Sequence, residues 1–232
     1  MVENFGAISF YSFYILEENY RDFKKTIQSY IKLTTSDEFI SNDQKYMELH
    51  IYGGRELGRL IHNYAASWLS LVDHTRAIQK KLKESKAEEI RNFAVEYENK
   101  LSESLKDSFE NSFVKDLRRY VQHKAVPVPT LHFRMKRVNL SNSESKPPLM
   151  DMSYSFEFST KQIQDFDWSK TSKEYMKKNE SIPLEKIIDD HFNMMKDFYL
   201  WIKFRDHQLH PYSSSEIKQS TFEEWKQQQN TV

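Results

Sequence analysis

Apolar residues recur every three or four positions over most of the chain, which is the pattern of amphipathic helices. The spacing predicts helices over residues 8–33, 56–82, 87–106 and 108–126, with a weaker helical bias over 160–178. A further helix is predicted to start at Ser181-Ile182-Pro183 and to end near His207, because proline is well tolerated in a first turn. Helices 56–82 and 87–106 are joined by a short charged turn, so we expect an antiparallel pair.

The period changes to alternation in two places. After the prolines at 127 and 129, apolar and polar residues alternate over 131–136 and 152–158, with a polar, proline-containing stretch between them. This pattern predicts a β-hairpin with a long loop at about 130–159. Partial alternation over 47–52 predicts an extended segment, and Gly53-Gly54 is expected to break the chain before the next helix.

These elements predict a mainly α fold, a helical bundle with long antiparallel helices and a β-hairpin inserted after the 108–126 helix. We assign residues 1–212 to a single helical domain and residues 213–232 to a polar, loosely docked C-terminal tail. Phe222 and Trp225 are the candidate anchors of that tail.

Charge and composition exclude several classes of function. The chain has 34 basic and 34 acidic residues, so contact with nucleic acid would have to come from a local patch. It has no cysteine, which excludes thiol chemistry and fits a cytoplasmic location. The apolar run over 5–16 is too short to span a bilayer, so we expect no membrane partner. The histidines at 191, 207 and 210 follow no known ligand spacing, so we expect no metal and no cofactor.

The densest polar group lies at the end of the 108–126 helix. It consists of Arg118, Arg119, Gln122 and His123. Histidine can take or give a proton near neutral pH, and arginine presents a planar fork of donors to a phosphate. An ideal helix separates Arg118 from His123 by about 140°, whereas Arg119 and His123 share a face, so both arginines are candidates. Arg59 and His62, on the 56–82 helix, would border the same cleft if the two helices pack together.

The stretch FVKDLRRYVQH resembles the motif of HEPN domains, in which four to six residues separate an arginine from a histidine. It is also similar to bacterial proteins with an LRNYxxH stretch followed by a proline. The resemblance covers about twenty residues, and Arg119 stands where the family usually has Asn, Asp or His. It implies a helical bundle and a homodimer whose motifs face each other through residues 108–126.

The same resemblance implies a metal-independent endoribonuclease that acts on single-stranded RNA in a bacterial toxin or defence-type role, or a degenerate relative. Arg118 and His123 would be catalytic, and Arg119, Gln122, Arg59 and His62 would support them. The alternative is a non-catalytic helical interaction protein, in which the arginines and His123 cap the helix and hold the turn into the hairpin. A shared open groove would favour the enzyme, and arginines buried in carboxylate pairs would favour the interaction protein.

Overall fold

The structure is a computed structural model that describes residues 11–34, 43–138, 149–209 and 214–229. Its helices are α1 (Phe13–Thr34), α2 (Asp43–Lys83), α3 (Glu88–Leu105), α4 (Phe109–His123), α5 (Thr160–Ile163), α6 (Lys170–Lys178), α7 (Leu184–Leu209), α8 (Ser215–Gln219) and α9 (Phe222–Gln229). Its strands are β1 (Thr130–Val138), β2 (Leu149–Ser159) and β3 (Ser181–Pro183), which form an antiparallel sheet in the order β1-β2-β3. The fold is mainly α with a β-hairpin after α4, which confirms the predicted class. The loop of the hairpin, 139–148, lies outside the described residues.

The helices bury one continuous core between them. Helix α2 packs against α1, α3 and α4, and α7 packs against α1, α3, α4 and β2. Leu57, Ile61 and Tyr64 of α2 are fully buried, as is Ile202 of α7. Each such side chain stabilises the fold by about 1.5–3 kcal/mol. The predicted antiparallel pairing of α2 and α3 is confirmed, and α2 and α7 form the frame on which α4 lies.

Helix α2 begins earlier than the pattern predicts. The prediction of an extended segment at 47–52 and a break at Gly53-Gly54 is wrong, because both lie inside one 41-residue helix. The glycines permit close packing instead of breaking the helix. A Cβ atom added at Gly53 would lie 3.2 Å from the Tyr30 ring.

Gly54 and Gly58 of α2 lie under the chain that leads into β1. A Cβ atom at Gly54 would lie 2.6 Å from Val128 Cγ1, and one at Gly58 would lie 2.9 Å from Val126 Cγ1. Glycine within a helix costs about 1 kcal/mol relative to alanine. A larger residue at either position would clash with residues 126–128, which pack directly on the α2 backbone.

The predicted helix start at Ser181-Ile182-Pro183 is also wrong, because these residues form β3. Ile182 is fully buried opposite Phe158 in β2, and Pro183 lies opposite Glu157. A proline is tolerated here because β3 is an edge strand. Pairing with β2 therefore delays the start of α7 to Leu184.

Glu157 is the exception to the alternating pattern of the hairpin. Phe156 and Phe158 are buried as predicted, but Glu157 between them is only 3% exposed. It accepts hydrogen bonds from Arg134 at 2.9 Å, from Ser155 at 2.6 Å and from Ser181. Burial alone would raise the pKa of Glu157, but these hydrogen bonds and the nearby positive charge lower it overall. The sheet is thus held by a buried carboxylate as well as by apolar contacts.

The described part of the C-terminal segment forms α8 and α9. Trp225 of α9 is 3% exposed and lies 5.7 Å from the Phe204 ring of α7, ring centre to ring centre. Gln208 of α7 donates to the carbonyl groups of Ile217 and Ser220, at 3.3 and 3.1 Å. Trp225 therefore anchors this segment, as the sequence predicts.

Candidate functional site

Helix α4 begins at a side-chain cap and ends shortly before two prolines. Ser108 caps its start by accepting a hydrogen bond from the Asn111 backbone N–H at 3.1 Å. At its end, the backbone N–H groups of Lys124 and Ala125 both donate to the Tyr120 carbonyl, at 2.8 and 3.3 Å. The prolines that follow cannot continue the helix. These backbone bonds hold the turn that leads from α4 to the hairpin.

The inner face of α4 is aromatic. Phe113 and Tyr120 stack on the Trp168 ring, with ring centres 5.4 and 5.5 Å apart. Leu117 lies on the same face and is fully buried. Trp168 is fixed in turn by a 2.6 Å hydrogen bond from its indole N–H to the Ile163 carbonyl. This packing sets which side chains of α4 face the core and which face solvent.

Asp116 ties one side of α4 to the segment that precedes α6. The carboxylate is 2% exposed and accepts from the Ser169 backbone N–H at 2.8 Å and from the Ser172 hydroxyl at 2.9 Å. Arg119 Nη1 lies 3.5 Å from its other oxygen. Buried carboxylates need such partners, because an unpaired one costs several kcal/mol.

Arg119 lies on this tied side. Its guanidinium donates to the Asp167 carbonyl at 3.2 Å, lies 3.5 Å from the Asp167 carboxylate, and sits 5.5 Å from the centre of the Phe166 ring. Lys173 first, and then Arg119, hold the pKa of Asp167 below its usual value. Arg119 therefore serves the packing of residues 166–167 against α4. This is the carboxylate pairing that the interaction-protein alternative predicts, although Arg119 is partly exposed rather than buried.

Arg118 and Gln122, four residues apart, share one stripe of α4, and His123 follows Arg119 by four residues; none of these three side chains is tied in this way. Gln122 and His123 are exposed, and Arg118 is half-buried with its Nε atom buried and without a hydrogen-bond partner. Within the described residues, none of these three side chains forms an ion pair or a hydrogen bond. The structure therefore does not join Arg118 to His123 in one chain, and neither side chain caps the helix end by a hydrogen bond.

Arg59 and His62 are exposed on α2. Arg59 pairs with Glu56 on its own helix, with Nε 2.9 Å from Oε2, and the Nδ1 atom of His62 lies 3.4 Å from Asn63 Oδ1. The hydrogen bond from Arg59 lowers the pKa of Glu56. In the described part of the chain, no hydrogen bond or ion pair connects Arg59 or His62 with the α4 group.

An exposed apolar surface begins three residues after His123. Val126 and Val128, seated on Gly58 and Gly54, are 48% and 52% exposed. Met47 and Ile51 lie on the same face of α2 and are 56% and 48% exposed. We call these four residues the apolar strip. Sequence patterning missed it, because the position of Val126 and Val128 against α2 depends on a long-range contact.

A cleft of about 440 Å³ lies between α2, α3, α4 and α7. Its lining residues are Trp68, Leu69, Val72, Arg76, Gln79, Tyr97, Glu98, Leu101, Ser102, Leu105, Lys106, Asn111, Lys115, Met195, Phe198 and Tyr199. We call it the α2–α3 cleft. No sequence pattern indicates this cleft, because its walls come from four separate helices.

His191, one of the histidines whose spacing matches no known metal motif, lies in the core. It is fully buried, its Nδ1 atom is 2.7 Å from the Tyr64 hydroxyl, and its Nε2 atom has no partner among the described residues. Burial lowers the pKa of His191 to about 3, so the ring is neutral at physiological pH. In the described ranges, no group of three or more His, Asp or Glu residues is arranged to hold a metal ion.

Comparison of the chain with protein-family models, with curated proteins and with solved structures gave no significant match. Of the helices in the described ranges, none combines the length and the hydropathy needed to cross a bilayer.

Proposed function

We propose that this chain is an HEPN-like endoribonuclease that cleaves single-stranded RNA without a metal, at a site completed by a second copy of the chain. In this proposal Arg118 binds the scissile phosphate and His123 transfers protons. His123 takes the proton of the 2′-hydroxyl or protonates the leaving 5′-oxygen, and the two ends are a 2′,3′-cyclic phosphate and a 5′-hydroxyl. The proposed location is the cytoplasm.

The observation that carries the proposal is the difference between the two arginines of the motif. Arg119 is engaged by Asp116 and Asp167. The Arg118 guanidinium has no partner in the described part of the chain, and His123 at the end of the same helix is exposed. Of the two arginines that the sequence leaves open, Arg118 is therefore the better candidate for a phosphate ligand. Gln122 is exposed beside it and can donate a further hydrogen bond.

The second copy is needed for a geometric reason. Five residues of helix separate Arg118 and His123 by about 140°, so one chain cannot readily direct both at the same phosphate. The apolar strip lies next to His123 and gives a homodimer a surface to bury. A two-fold dimer through the end of α4 would bring Arg118 of one protomer towards His123 of its partner. Arg59 and His62 are further exposed polar groups on α2, the helix that carries half of the strip.

The direct test is cleavage of a single-stranded RNA in the presence of EDTA. We expect cleavage by the wild type, with 2′,3′-cyclic phosphate ends. Arg118→Ala and His123→Ala should each reduce the rate by about two to four orders of magnitude, while circular dichroism stays unchanged. Lys115→Ala, an exposed change on the same helix, is the matched control. Absence of cleavage by the wild type would remove the enzyme claim.

A mixing experiment tests the shared site. Arg118→Ala and His123→Ala are each inactive as homodimers, but a mixed dimer contains one site with both native residues. Equal mixing and exchange should restore about a quarter of wild-type activity, because half of the dimers are mixed and each has one intact site. No recovery, or a wild-type monomer at high micromolar concentration, would contradict the composite site.

The second candidate is a non-catalytic helical interaction protein. The ion pairs of Arg119 favour it, because they give part of the motif a purely structural task. The apolar strip would then bind another protein. This candidate predicts no cleavage by the wild type, and the RNA assay therefore separates the two.

A further inference from the structure

We propose that the α2–α3 cleft is a binding site for a linear organic anion, such as a medium-chain carboxylate, with its charged head at Arg76 and Tyr97. This goes beyond the proposed function, because it assigns a ligand to a surface that contains neither Arg118 nor His123. A cleft of about 440 Å³ falls within the usual range for small-molecule sites.

The walls of the cleft suit an apolar chain. Leu69 and Val72 of α2 face Leu101 of α3 across it, and Met195 and Phe198 of α7 form the floor. The three wall residues are partly accessible, whereas the two floor residues are 1% and 2% exposed. The positions from 69 to 76 span about 10 Å along α2. A short alkyl chain can therefore lie along the wall while its head reaches Arg76.

Tyr97 contributes a hydroxyl group to the lining of the cleft. The residue is 5% exposed, and its hydroxyl has no hydrogen-bond partner among the described residues. The indole N–H of Trp68, which also lines the cleft, is a buried donor without a hydrogen-bond partner among the described residues. Burial raises the pKa of Tyr97 to about 12, so the hydroxyl keeps its proton and can donate to an anion. The positive charge of Arg76 acts on this same hydroxyl and opposes the rise.

The charge around the cleft favours an anionic ligand. Arg76, Lys106 and Lys115 contribute three positive charges, and Glu98 contributes one negative charge. Glu98 is already bound by Lys83 and by Gln79. Lys106 and Lys115 form no ion pair with any described residue. Arg76 itself lies 3.6 Å from the Asp73 carboxylate, in an ion pair that is largely exposed and therefore weak. The positive charge of Lys106 and Lys115 attracts an anion and disfavours a cation.

The first test compares decanoate with decanol by isothermal titration calorimetry, both below the concentration at which they aggregate. We expect saturable binding of one decanoate per chain, and binding of decanol weaker by about tenfold or more. Trp68 lines the cleft, so its fluorescence should change on binding, and Trp68→Phe should remove that change. Equal affinity for decanol, absence of saturable decanoate binding, or binding only to anionic phospholipid vesicles would overturn the proposal.

The second test uses variants of the cleft. Tyr97→Phe should weaken decanoate binding by about tenfold, and Arg76→Glu by more, because a charged hydrogen bond and an attraction are lost. Ser102→Trp should fill the cleft and abolish binding. Lys177→Glu, an exposed change on α6, is the matched control for charge. Arg118→Ala should bind decanoate normally, which distinguishes this proposal from the RNA site. Unchanged affinity in Tyr97→Phe and Arg76→Glu would overturn it.

Discussion

Arg118 and Arg119 are neighbours in the sequence but lie in different surroundings in the fold. Arg119 faces the segment before α6, where Asp116, Asp167 and the Phe166 ring hold it. Arg118 lies on another part of the helix surface, and its guanidinium has no partner in the described residues. The difference follows from one helical step of about 100°, which turns one side chain towards α6 and the other away from it. The same residue type can therefore serve packing at one position and remain available for a ligand at the next.

The change with the largest expected effect is Leu117→Asp. Leu117 is fully buried, so a carboxylate there would have no partner and should lower the free energy of unfolding by more than about 4 kcal/mol. Lys115→Ala, two residues earlier and exposed, should change it by less than about 0.5 kcal/mol. Urea denaturation measures both. Equal stabilities would contradict the different surroundings given to Arg118 and Arg119, because the orientation of α4 is inferred from the inward position of Leu117.

Asp116→Ala should have the next largest effect. It leaves the Ser169 N–H and the Ser172 hydroxyl without their acceptor, at a cost of about 3 kcal/mol for the two groups. Asp165→Ala is the control, since that carboxylate is 95% exposed. The unfolding midpoint in urea is the measurement. A loss below about 1 kcal/mol would mean that Asp116 does not anchor the tied side of α4.

His191 extends the comparison to the core, where one polar group has a single hydrogen bond. Its folded pKa of about 3 lies below the ordinary value of 6.5, so between these values the unfolded chain binds the extra proton. Stability should therefore fall as the pH is lowered, by about 2 kcal/mol from pH 7.5 to 5.0. His191→Gln should flatten this slope in urea titrations at both pH values. An identical slope in the variant would assign the pH dependence to other groups.

The smallest effects come from the arginines themselves. Arg119→Ala should cost about 1 kcal/mol, because partly exposed ion pairs and a cation–π contact contribute little. Arg118→Ala should change stability by less than about 0.5 kcal/mol. Thermal melts compare the two variants under one condition. A larger loss for Arg118→Ala than for Arg119→Ala would reverse the roles given to the two residues.

The hydrophobic pattern predicts α3, α4 and the hairpin well because their signals are local. It misses the first part of α2, because a Gly-Gly pair is typical of a turn. In the structure these glycines lie within the helix, where Tyr30 and Val128 pack closely against them. It misses β3 because three residues that end in proline carry no strand signal until β2 pairs with them. Long-range contacts decide both elements.

The candidate site is likewise predicted where its signal is local and missed where it depends on long-range contacts. The sequence identifies the polar end of α4, and the structure leaves Gln122 and His123 exposed there. It cannot separate Arg118 from Arg119, because Asp167, one of the two aspartates that engage Arg119, is 48 residues away along the chain. The exposed apolar strip and the α2–α3 cleft also depend on contacts between distant elements. Whether Arg118 and His123 act on RNA stays a prediction.

Gly54 and Gly58 of α2, the positions against which Val128 and Val126 pack, have the same spacing as the chain that crosses them. Gly54 and Gly58 are four helical residues apart, which is about 6 Å, and two residues of extended chain also cover about 6 Å. Each valine therefore packs against one glycine, Val128 on Gly54 and Val126 on Gly58, while Pro127 and Pro129 are buried. Removing one residue between His123 and Val126 would shift the chain so that Pro127 and Pro129, instead of the valines, lie against Gly58 and Gly54. Those few residues thus act as a spacer, and its length sets where the hairpin starts relative to the motif.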